Sequence, residues 1–376
     1  MKKTAIITFN NSDNCGSMLQ ALALQNKLEE YTDTEVSIID FSNEGQQELY
    51  SIFDKPTSIK KIIKNILLAP VYGKLKKQKE DYSRFAKHFN LTDKKYSHNS
   101  ELEELNGQYD YFVCGSDQVW NIKCPDADDA YFLNFVHQGV KIAYAPSLGG
   151  ANLADVAEDP KKYVDLMNDI KYISIREANG KRWLEEMLHR EVPMILDPTL
   201  LLSKDEWLKY ALKDRVIPGK YIFYYAFHYS KEQNEIVKSI SKKMNMPVIT
   251  MDVKRWVLKG VFAYGAKLSP EFGPAAFLNL MANASMVLTR SFHGVAFSTI
   301  FEKNFWMLGK LTNPNGDDRA ASVLNQFGLS DRMISLDEIS AGADLTKEID
   351  YSEVKKKLSA LQESSIGFIK NAFSEE

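Results

Sequence analysis

The sequence predicts an α/β protein built from two doubly wound domains, in which each parallel sheet is covered by helices on both faces. Three observations favour this class. Short apolar strand patterns alternate with helical patterns in two successive series, polar residues follow most of the strands, and 376 residues are enough for two hydrophobic cores. We place the first domain at residues 1–203, the second at residues 204–345, and a C-terminal helix at residues 346–376.

Composition and charge exclude several classes of protein. With 44% hydrophobic residues, 26% charged residues and a net charge of −3, the chain lacks the basic surplus of nucleic-acid-binding proteins. Its start enters a strand pattern without the apolar core of a signal peptide, and no apolar run approaches the roughly 18 residues of a membrane span. We therefore expect a cytoplasmic protein. Because Cys15, Cys114 and Cys124 have the spacing of neither a disulfide framework nor a zinc site, we expect no metal and no cofactor.

The first domain opens with a strand–helix–strand unit. A β-branched strand at residues 3–9 precedes a loop rich in Asn, Ser and Gly at residues 10–17, a helix at residues 18–30 and a second strand at residues 36–41. The loop lies at the carboxyl end of the first strand, where open α/β sheets place their ligands. It lacks the G-x-G-x-x-G pattern, so dinucleotide binding has little support.

Residues 55–95 form a basic amphipathic segment. Its first part, residues 55–79, contains no acidic residue, and its apolar residues fall on one helical face. These are Ile59, Ile62, Ile63, Ile66 and Leu67, and the lysines are Lys55, Lys60, Lys61, Lys64, Lys74, Lys76, Lys77 and Lys79. Two interpretations remain open. Either the isoleucines pack on the first domain and the lysines are solvated, or the helix lies on an anionic membrane surface at the inner face of the membrane.

The later elements continue the alternation in both domains. Further strands of the first domain are expected at residues 111–114, 141–145, 172–175 and 194–196, and those of the second at residues 221–227, 247–251, 286–289 and 305–308. Helices are expected at residues 231–244, 275–282 and 351–373, and from residue 318 onward. Ser116, Asp117 and Gln118 follow one of these strands, so this polar loop should lie at the same sheet edge as residues 10–17.

The most informative stretch is a turn that joins a buried strand to a helix. This turn contains Arg290, Ser291, His293 and Gly294. A helix N-terminus offers an anion free N–H groups and the positive end of the helix dipole. Arg290 adds a two-pronged guanidinium, Ser291 a hydroxyl, and His293 a group that titrates near neutral pH. The alternative is that Arg290 is a surface ion-pair residue and His293 a buried, hydrogen-bonded imidazole. The presence of all four residues at one turn favours the anion site.

Motifs spread in order over most of the chain resemble those of the polysaccharide pyruvyl transferase family. They are residues 14–20 (NCGSMLQ), 113–121 (VCGSDQVWN), 174–177 (SIRE), 196–202 (LDPTLLL), 273–274 (GP), 290–298 (RSFHGVAFS), and Arg319 with residues 328–332 (GLSDR). The resemblance implies two Rossmann-like domains facing a cleft, similar to B-type glycosyltransferases. It also implies a reaction in which phosphoenolpyruvate is the co-substrate and two hydroxyls of one sugar, for which we expect galactose, become a cyclic pyruvate ketal. The sugar would belong to a surface-polysaccharide precursor and could be lipid-linked.

This chemistry assigns roles to the candidate residues. The donor carries a phosphate and a carboxylate, which Arg176, Arg290 and the helix N-terminus after Gly294 would bind. His293 is the candidate acid that protonates the donor methylene, and Asp117 would orient or deprotonate the sugar unless it only caps a helix. The full set of predicted substrate-binding residues is Arg176, Arg290, Ser291, Gly294, Asn14, Ser17, Ser116, Gln118, His228 and Arg319.

Two other functions remain open. A glycosyltransferase that uses a nucleotide-sugar donor could have the same two-domain cleft, because fold does not determine function. A non-catalytic scaffold of polysaccharide assembly is the second alternative, and the presence of both Arg290 and His293 argues against it.

Overall fold

The computed structural model describes residues 1–226, 229–309 and 315–374. It confirms the predicted α/β class, because these residues form two parallel sheets of six strands each. The first sheet consists of β1 (Lys2–Ile7), β2 (Thr34–Phe41), β3 (Leu91–Tyr96), β4 (Tyr111–Cys114), β5 (Val140–Ala143) and β6 (Tyr172–Ile173). The second consists of β7 (Ile222–Tyr225), β8 (Val248–Thr250), β9 (Lys267–Leu268), β10 (Met286–Thr289), β11 (Phe305–Leu308) and β12 (Met333–Ile334).

Both sheets have the same strand order. In the first it is β3-β2-β1-β4-β5-β6, and in the second it is β9-β8-β7-β10-β11-β12. The order reverses between β1 and β4 and between β7 and β10, and doubly wound sheets bind ligands at such a point, beyond the carboxyl ends of the strands. The central strands β4, β7 and β10 are buried at every residue, which is why their sequences are continuous apolar runs.

Helices occupy most of the connections between strands. In the described residues they are α1 (Cys15–Tyr31), α2 (Glu44–Leu49), α3 (Ile59–Leu68), α4 (Tyr72–Phe85), α5 (Leu153–Val156), α6 (Pro160–Asn168), α7 (Ala178–Leu188), α8 (Lys204–Leu208), α9 (Lys231–Met244), α10 (Val253–Leu258), α11 (Gly273–Asn283), α12 (Phe292–Ile300), α13 (Arg319–Phe327), α14 (Leu336–Ser340) and α15 (Tyr351–Phe373). The predicted helices at residues 231–244 and 351–373 are confirmed at both ends.

The structure corrects the strand prediction at the sheet edges. The pattern does not reveal the edge strands β3, β9 and β12, because β3 contains Thr, Asp and two Lys and the other two have only two residues each. The predicted strand at residues 194–196 is wrong, since Met194 forms only an isolated bridge with Ile175. The N–H of Ile195 still donates to the carbonyl of Ile175 at 3.0 Å, but the chain then turns away, and the N–H of Leu196 donates to Ser365 Oγ at 3.0 Å.

One apolar cluster joins the two sheets. It contains Leu22 of α1, Phe223 of β7, Phe297 of α12 and Ile369 of α15. As a result α1 is buried on nearly every side, because both the first sheet and the helices of the second half pack on it. Since this packing is continuous across residues 203 and 345, the domain boundaries at those positions remain predictions.

The last helix, α15, returns from the second sheet to the first. Phe373 packs on Tyr111 with ring centroids 4.5 Å apart, and Phe368 packs on Tyr144 at 6.1 Å. The Gln362 side chain donates to the carbonyl of Leu200 at 2.6 Å. The C-terminal helix thus forms part of the core of the first half of the chain.

The apolar face of α3 does not pack on the first domain. Ser58 caps the helix by accepting from the N–H of Lys61, and only Leu68 at its end is buried. The five residues Ile59, Ile62, Ile63, Ile66 and Leu67 are 43–77% exposed. Among the helices of the described ranges, none is both long and apolar enough to cross a membrane.

Candidate functional site

A cavity of about 370 Å³ lies where the switch points of the two sheets face each other. Its walls come from the loop after β1, the loop after β4, the turn after β10 and the start of α13, which are the positions that the strand order predicts. The lining residues are Asn14, Asp117, Gln118, Gly149, Arg290, Ser291, Phe292, His293, Met307, Asp317, Arg319 and Ala320.

The N-terminus of α12 opens into this cavity with its hydrogen-bonding groups unused. Ser291 occupies the N-cap position, but its hydroxyl is buried and has no partner within the described residues. The first backbone bond of the helix runs from the N–H of Val295 to the carbonyl of Ser291, so the three preceding N–H groups have no intrahelical acceptor. Gly294 keeps α12 close to β10, because a Cβ there would lie 1.9 Å from Thr289 Oγ1. The turn therefore has the features of an anion site.

Arg290 contributes a cation to the same cavity. It is exposed, and within the described part of the chain no carboxylate lies within ion-pair distance of its guanidinium. Arg319 also lines the cavity, but Asp317 already holds it in a two-pronged pair with distances of 2.7 and 2.6 Å. Of these two guanidinium groups, Arg290 is the one available to an anionic ligand.

His293 is placed by both halves of the chain. It is buried on the first turn of α12, and its Nε2 lies 3.6 Å from Asp197 Oδ2 without a hydrogen-bond partner in the described residues. On the other side of the ring, the backbone of Gly16 packs so closely that a Cβ there would lie 2.0 Å from Nδ1. The position of the imidazole thus depends on α1 and on the turn after residue 196 as well as on its own helix.

Arg176 lies behind the cavity wall and does not line it. Its side chain is 1% exposed and donates from Nη1 to Asp197 at 2.6 Å, with Nη2 3.6 Å from Asp117 and Nε 3.9 Å from Glu177. The Phe292 ring covers the guanidinium at 4.3 Å. Three carboxylates and an aromatic ring therefore enclose the Arg176 guanidinium.

The carboxylates around Arg176 differ in protonation. Burial alone would raise the pKa of Asp117, but Arg176 and His293 outweigh it and lower the pKa below its usual value. Burial would also raise the pKa of Asp197, but His293 and Arg176 outweigh this effect and hold the pKa well below its usual range. Asp117 also accepts from the Ser17 hydroxyl at 2.5 Å. Both aspartates are therefore anions at neutral pH.

The pKa of Glu177 is raised, in contrast to the pKa values of the two aspartates. Burial raises its pKa to about 7, and Arg176 only partly offsets this effect. One oxygen accepts from the N–H of Leu148 at 2.8 Å, whereas the other has no hydrogen-bond partner among the described residues. Glu177 therefore carries a proton over part of the pH range in which the two aspartates are ionised.

This raised pKa predicts a pH dependence of stability. A glutamate has a pKa of about 4.3 in an unfolded chain, so the contribution of Glu177 is fully present below that pH and is lost as pH rises to about 7. Between pH 5 and 8, we expect the free energy of unfolding to fall by on the order of 3 kcal/mol less in Glu177→Gln than in the unaltered protein. Urea unfolding at several pH values measures this, with the exposed Glu186→Gln on the same helix as control. An unchanged slope in Glu177→Gln would contradict the assignment.

Most of the predicted site residues converge on the cavity. Asn14, Asp117, Gln118, Arg290, Ser291, His293 and Arg319 line it. Ser17 and Ser116 are buried behind it, and the Ser116 hydroxyl donates to the carbonyl of Ala145 at 2.5 Å. His228 lies outside the described residues. In the described ranges no group of three or more His, Cys, Asp and Glu side chains is arranged to hold a metal.

The sequence prediction missed Asp197 and Glu177 as parts of the site. Both stand in the quoted motifs, but nothing in their local pattern reveals that they face Arg176. Asp197 also accepts from the N–H and hydroxyl of Thr199 at 3.0 and 2.6 Å, which fixes the carboxylate beside His293. The sequence did contain a signal for Asp197. It follows a buried apolar run at the same sheet edge as the other polar loops, which is the position that identified the other candidates.

Comparisons with known proteins bear on the family and on the fold. The family model for polysaccharide pyruvyl transferase matches residues 14–309, whereas no curated protein sequence is significantly similar. Among solved structures, S. aureus MnaA in a co-structure with UDP gives a TM-score of 0.53 at 12% identity, covering 100% of this chain and 99% of that chain. Methanocaldococcus jannaschii UDP-GlcNAc 2-epimerase in complex with UDP-GlcNAc and UDP gives 0.50 at 14% identity, covering 96% and 93%. At these identities the likeness concerns the fold alone, and it confirms two Rossmann-like domains arranged as in B-type glycosyltransferases.

Proposed function

The chain belongs to the polysaccharide pyruvyl transferase family, and on this basis we propose that it transfers a pyruvyl group from phosphoenolpyruvate to a sugar. The acceptor would be a galactose of a surface-polysaccharide precursor, and the product a cyclic ketal that bridges two of its hydroxyls. The observation that carries the proposal is the convergence of unused anion-binding groups, His293 and Asp117 on one cavity.

The cavity offers suitable partners for the donor. Phosphoenolpyruvate carries a phosphate and a carboxylate, and the N-terminus of α12, the Ser291 hydroxyl and the Arg290 guanidinium provide donors for both groups. Arg176 remains a predicted contributor, but its enclosure favours an indirect role through Asp117 and Asp197.

The proposed reaction moves three protons, one to the donor carbon and one from each of the two sugar hydroxyls. One sugar hydroxyl adds to C2 of the donor while His293 delivers a proton to the methylene carbon, which becomes the ketal methyl group. Phosphate then leaves C2, and the second hydroxyl adds to the same carbon. Of the two hydroxyl protons, one replaces the proton that His293 gave up and the other leaves with the phosphate. Asp117 lines the cavity as an anion, and we propose that it accepts a proton from the sugar. Asp197 would hold the imidazole in position during both steps.

Product analysis tests this reaction directly. The protein is incubated with phosphoenolpyruvate and a galactoside, and phosphate release and the mass of the sugar are measured. A sugar heavier by one pyruvyl group supports the proposal. The structures of similar fold were solved with UDP or UDP-GlcNAc, so thermal unfolding is compared with phosphoenolpyruvate and with a nucleotide sugar. Stabilisation by the nucleotide sugar alone would favour a glycosyltransferase.

Arg290→Lys is expected to raise the KM for phosphoenolpyruvate by about tenfold, with a smaller effect on kcat. A lysine keeps the charge but cannot reproduce the two-pronged geometry of a guanidinium. Initial rates at varied donor concentration measure the change. The control is Arg190→Lys, which alters a guanidinium bonded to backbone carbonyls away from the cavity. An unaltered KM in Arg290→Lys would place the anion site elsewhere.

The same proposal places the protein at an anionic membrane surface, where a lipid-linked acceptor would be found. The support is the exposed apolar face of α3 together with Lys60 on the same helix, which is exposed and has no carboxylate partner within the described residues. Apolar residues of such a helix enter the interface, and each lysine near an anionic surface adds about 1 kcal/mol. Binding of this kind is peripheral and weakens as ionic strength rises.

We expect the protein to float with vesicles that contain anionic lipid at low salt, and the Ile59→Glu/Ile66→Glu variant to remain unbound. Both side chains are largely exposed, so the substitutions leave the core unchanged. Leu208→Glu, an exposed apolar residue outside the segment, is the matched control and should float like the unaltered protein. Equal flotation of both variants, or no flotation at all, would leave α3 as an ordinary solvated helix.

A further inference from the structure

A second cavity of about 330 Å³ lies between α3, α4 and α10, next to the site already described. Asn14 lines both cavities, which places the second one at the loop after β1. Its other lining residues are Asp13, Leu49, Tyr50, Ile52, Lys64, Leu75, Gln78, Lys79, Asp252, Lys254, Arg255 and Leu258.

The charged residues of this cavity are predominantly basic. Its lining contains Lys64, Lys79, Lys254 and Arg255 but only two carboxylates, Asp13 and Asp252. Each carboxylate already pairs with one cation, Asp13 with Lys79 at 3.0 Å and Asp252 with Arg255. Lys64 has a carboxylate partner, Asp54, that lies outside the lining.

Lys254 is the cation of this cavity without a carboxylate partner within the described ranges. Its Nζ donates to the carbonyl of Ser51, and no ion pair within 4.0 Å involves it. Burial and the neighbouring charge of Lys64 both lower its pKa. A partly buried ammonium group with only a neutral partner is a favourable contact for an anion.

Part of the lining is apolar. Leu49, Ile52, Leu75 and Leu258 contribute to it, and the exposed isoleucine face of the adjacent α3 lies outside. A cavity lined by both basic groups and aliphatic side chains suits an anion that is attached to a hydrocarbon chain. A nucleotide would leave these aliphatic side chains without an apolar partner.

We infer that the second cavity binds the diphosphate of a lipid-linked acceptor and the first part of its hydrocarbon chain. This inference rests on the proposed function, since it specifies how the acceptor is held. Lys254 would contact the diphosphate, the leucines would contact the chain, and the attached sugar would extend past Asn14 into the first cavity. The proposed membrane contact of α3 brings the opening of this cavity to the lipid surface.

Calorimetric titration with farnesyl diphosphate and with UDP tests the inference. Both probes carry a diphosphate, but only the first carries a hydrocarbon chain. We expect farnesyl diphosphate to bind at least about tenfold more tightly than UDP, because only its chain finds apolar partners. Equal or tighter binding of UDP would overturn the lipid assignment, and the absence of binding by either probe would overturn the site.

Substitutions locate the binding. Lys254→Gln should weaken farnesyl diphosphate binding by roughly tenfold, because it removes a charge-assisted hydrogen bond. Lys259→Gln, an exposed lysine at the end of the same helix that does not line the cavity, should bind like the unaltered protein. Unaltered affinity in Lys254→Gln would contradict the inference.

A second variant covers the case in which Lys254→Gln disturbs folding. Leu49→Glu places a negative charge on the apolar wall at a residue that is 43% exposed, so the fold should tolerate it. It should weaken farnesyl diphosphate binding at least as much, and unaltered affinity would again count against the site. These experiments measure binding and not turnover. Their results can therefore be interpreted even if the protein does not catalyse the proposed reaction.

Discussion

Replacement of His293 by glutamine is expected to lower kcat for pyruvyl transfer by at least about a hundredfold, the lower range of general acid–base effects. Glutamine retains hydrogen-bonding capacity in a similar volume but cannot deliver a proton to the donor carbon. His293 lines the first cavity, and the Asp197 carboxylate 3.6 Å from its Nε2 favours the protonated imidazole that the proposed mechanism requires. Phosphate release under saturating donor and acceptor measures the change.

The control for this prediction is His137→Gln, which alters an exposed histidine paired with Glu103 away from both cavities. It should keep normal turnover. The thermal unfolding midpoint of His293→Gln should stay close to that of the unaltered protein, so that lost activity reflects lost chemistry. Near-normal turnover of His293→Gln would remove the residue from the mechanism.

Gly16→Ala is expected to lower kcat by about a hundredfold although residue 16 carries no functional group. The added methyl group would lie 2.0 Å from Nδ1 of His293, so the imidazole has to move. A displacement of about 1 Å in an active site costs roughly a hundredfold in rate. The KM for phosphoenolpyruvate should change less, because Arg290 and Ser291 do not depend on this contact.

Gly73→Ala is the matched control for this substitution. Gly73 lies in α4 with no atom within 4 Å of its added Cβ, so alanine there should raise helix stability by up to about 1 kcal/mol without a change in rate. Unaltered turnover of Gly16→Ala would show that the close contact with the imidazole has no catalytic importance.

The sequence predicts the fold well where burial determines the residue pattern. The strands β4, β10 and β11 begin and end where the apolar runs do, because a strand covered on both faces leaves no place for polar residues. Three of the four edge strands, β3, β9 and β12, escape prediction, because one side of each has no neighbour and each is polar or very short. Lys94 and Lys95 of β3 are exposed, so their sequence resembles a loop.

The site could be predicted only in part for a different physical reason. Polar residues that follow strands can be identified locally, which is why His293, Arg290 and Asp117 were identifiable as candidates. Their partners depend on how the two sheets face each other, and no local pattern encodes that. Arg176 looks like a ligand-binding residue in the sequence, but the folded chain surrounds it with Asp117, Glu177 and Asp197.

The return of α15 to the first sheet has a consequence for the synthesis of the chain. Tyr111 and Tyr144 leave the ribosome long before Phe368 and Phe373, which cover them in the folded protein. An N-terminal domain usually folds as soon as it has been translated. Here that half keeps an uncovered apolar surface until translation has passed residue 373. If translation stops early, the released chain therefore has an N-terminal half whose apolar surface is not covered by α15 and which is prone to aggregate.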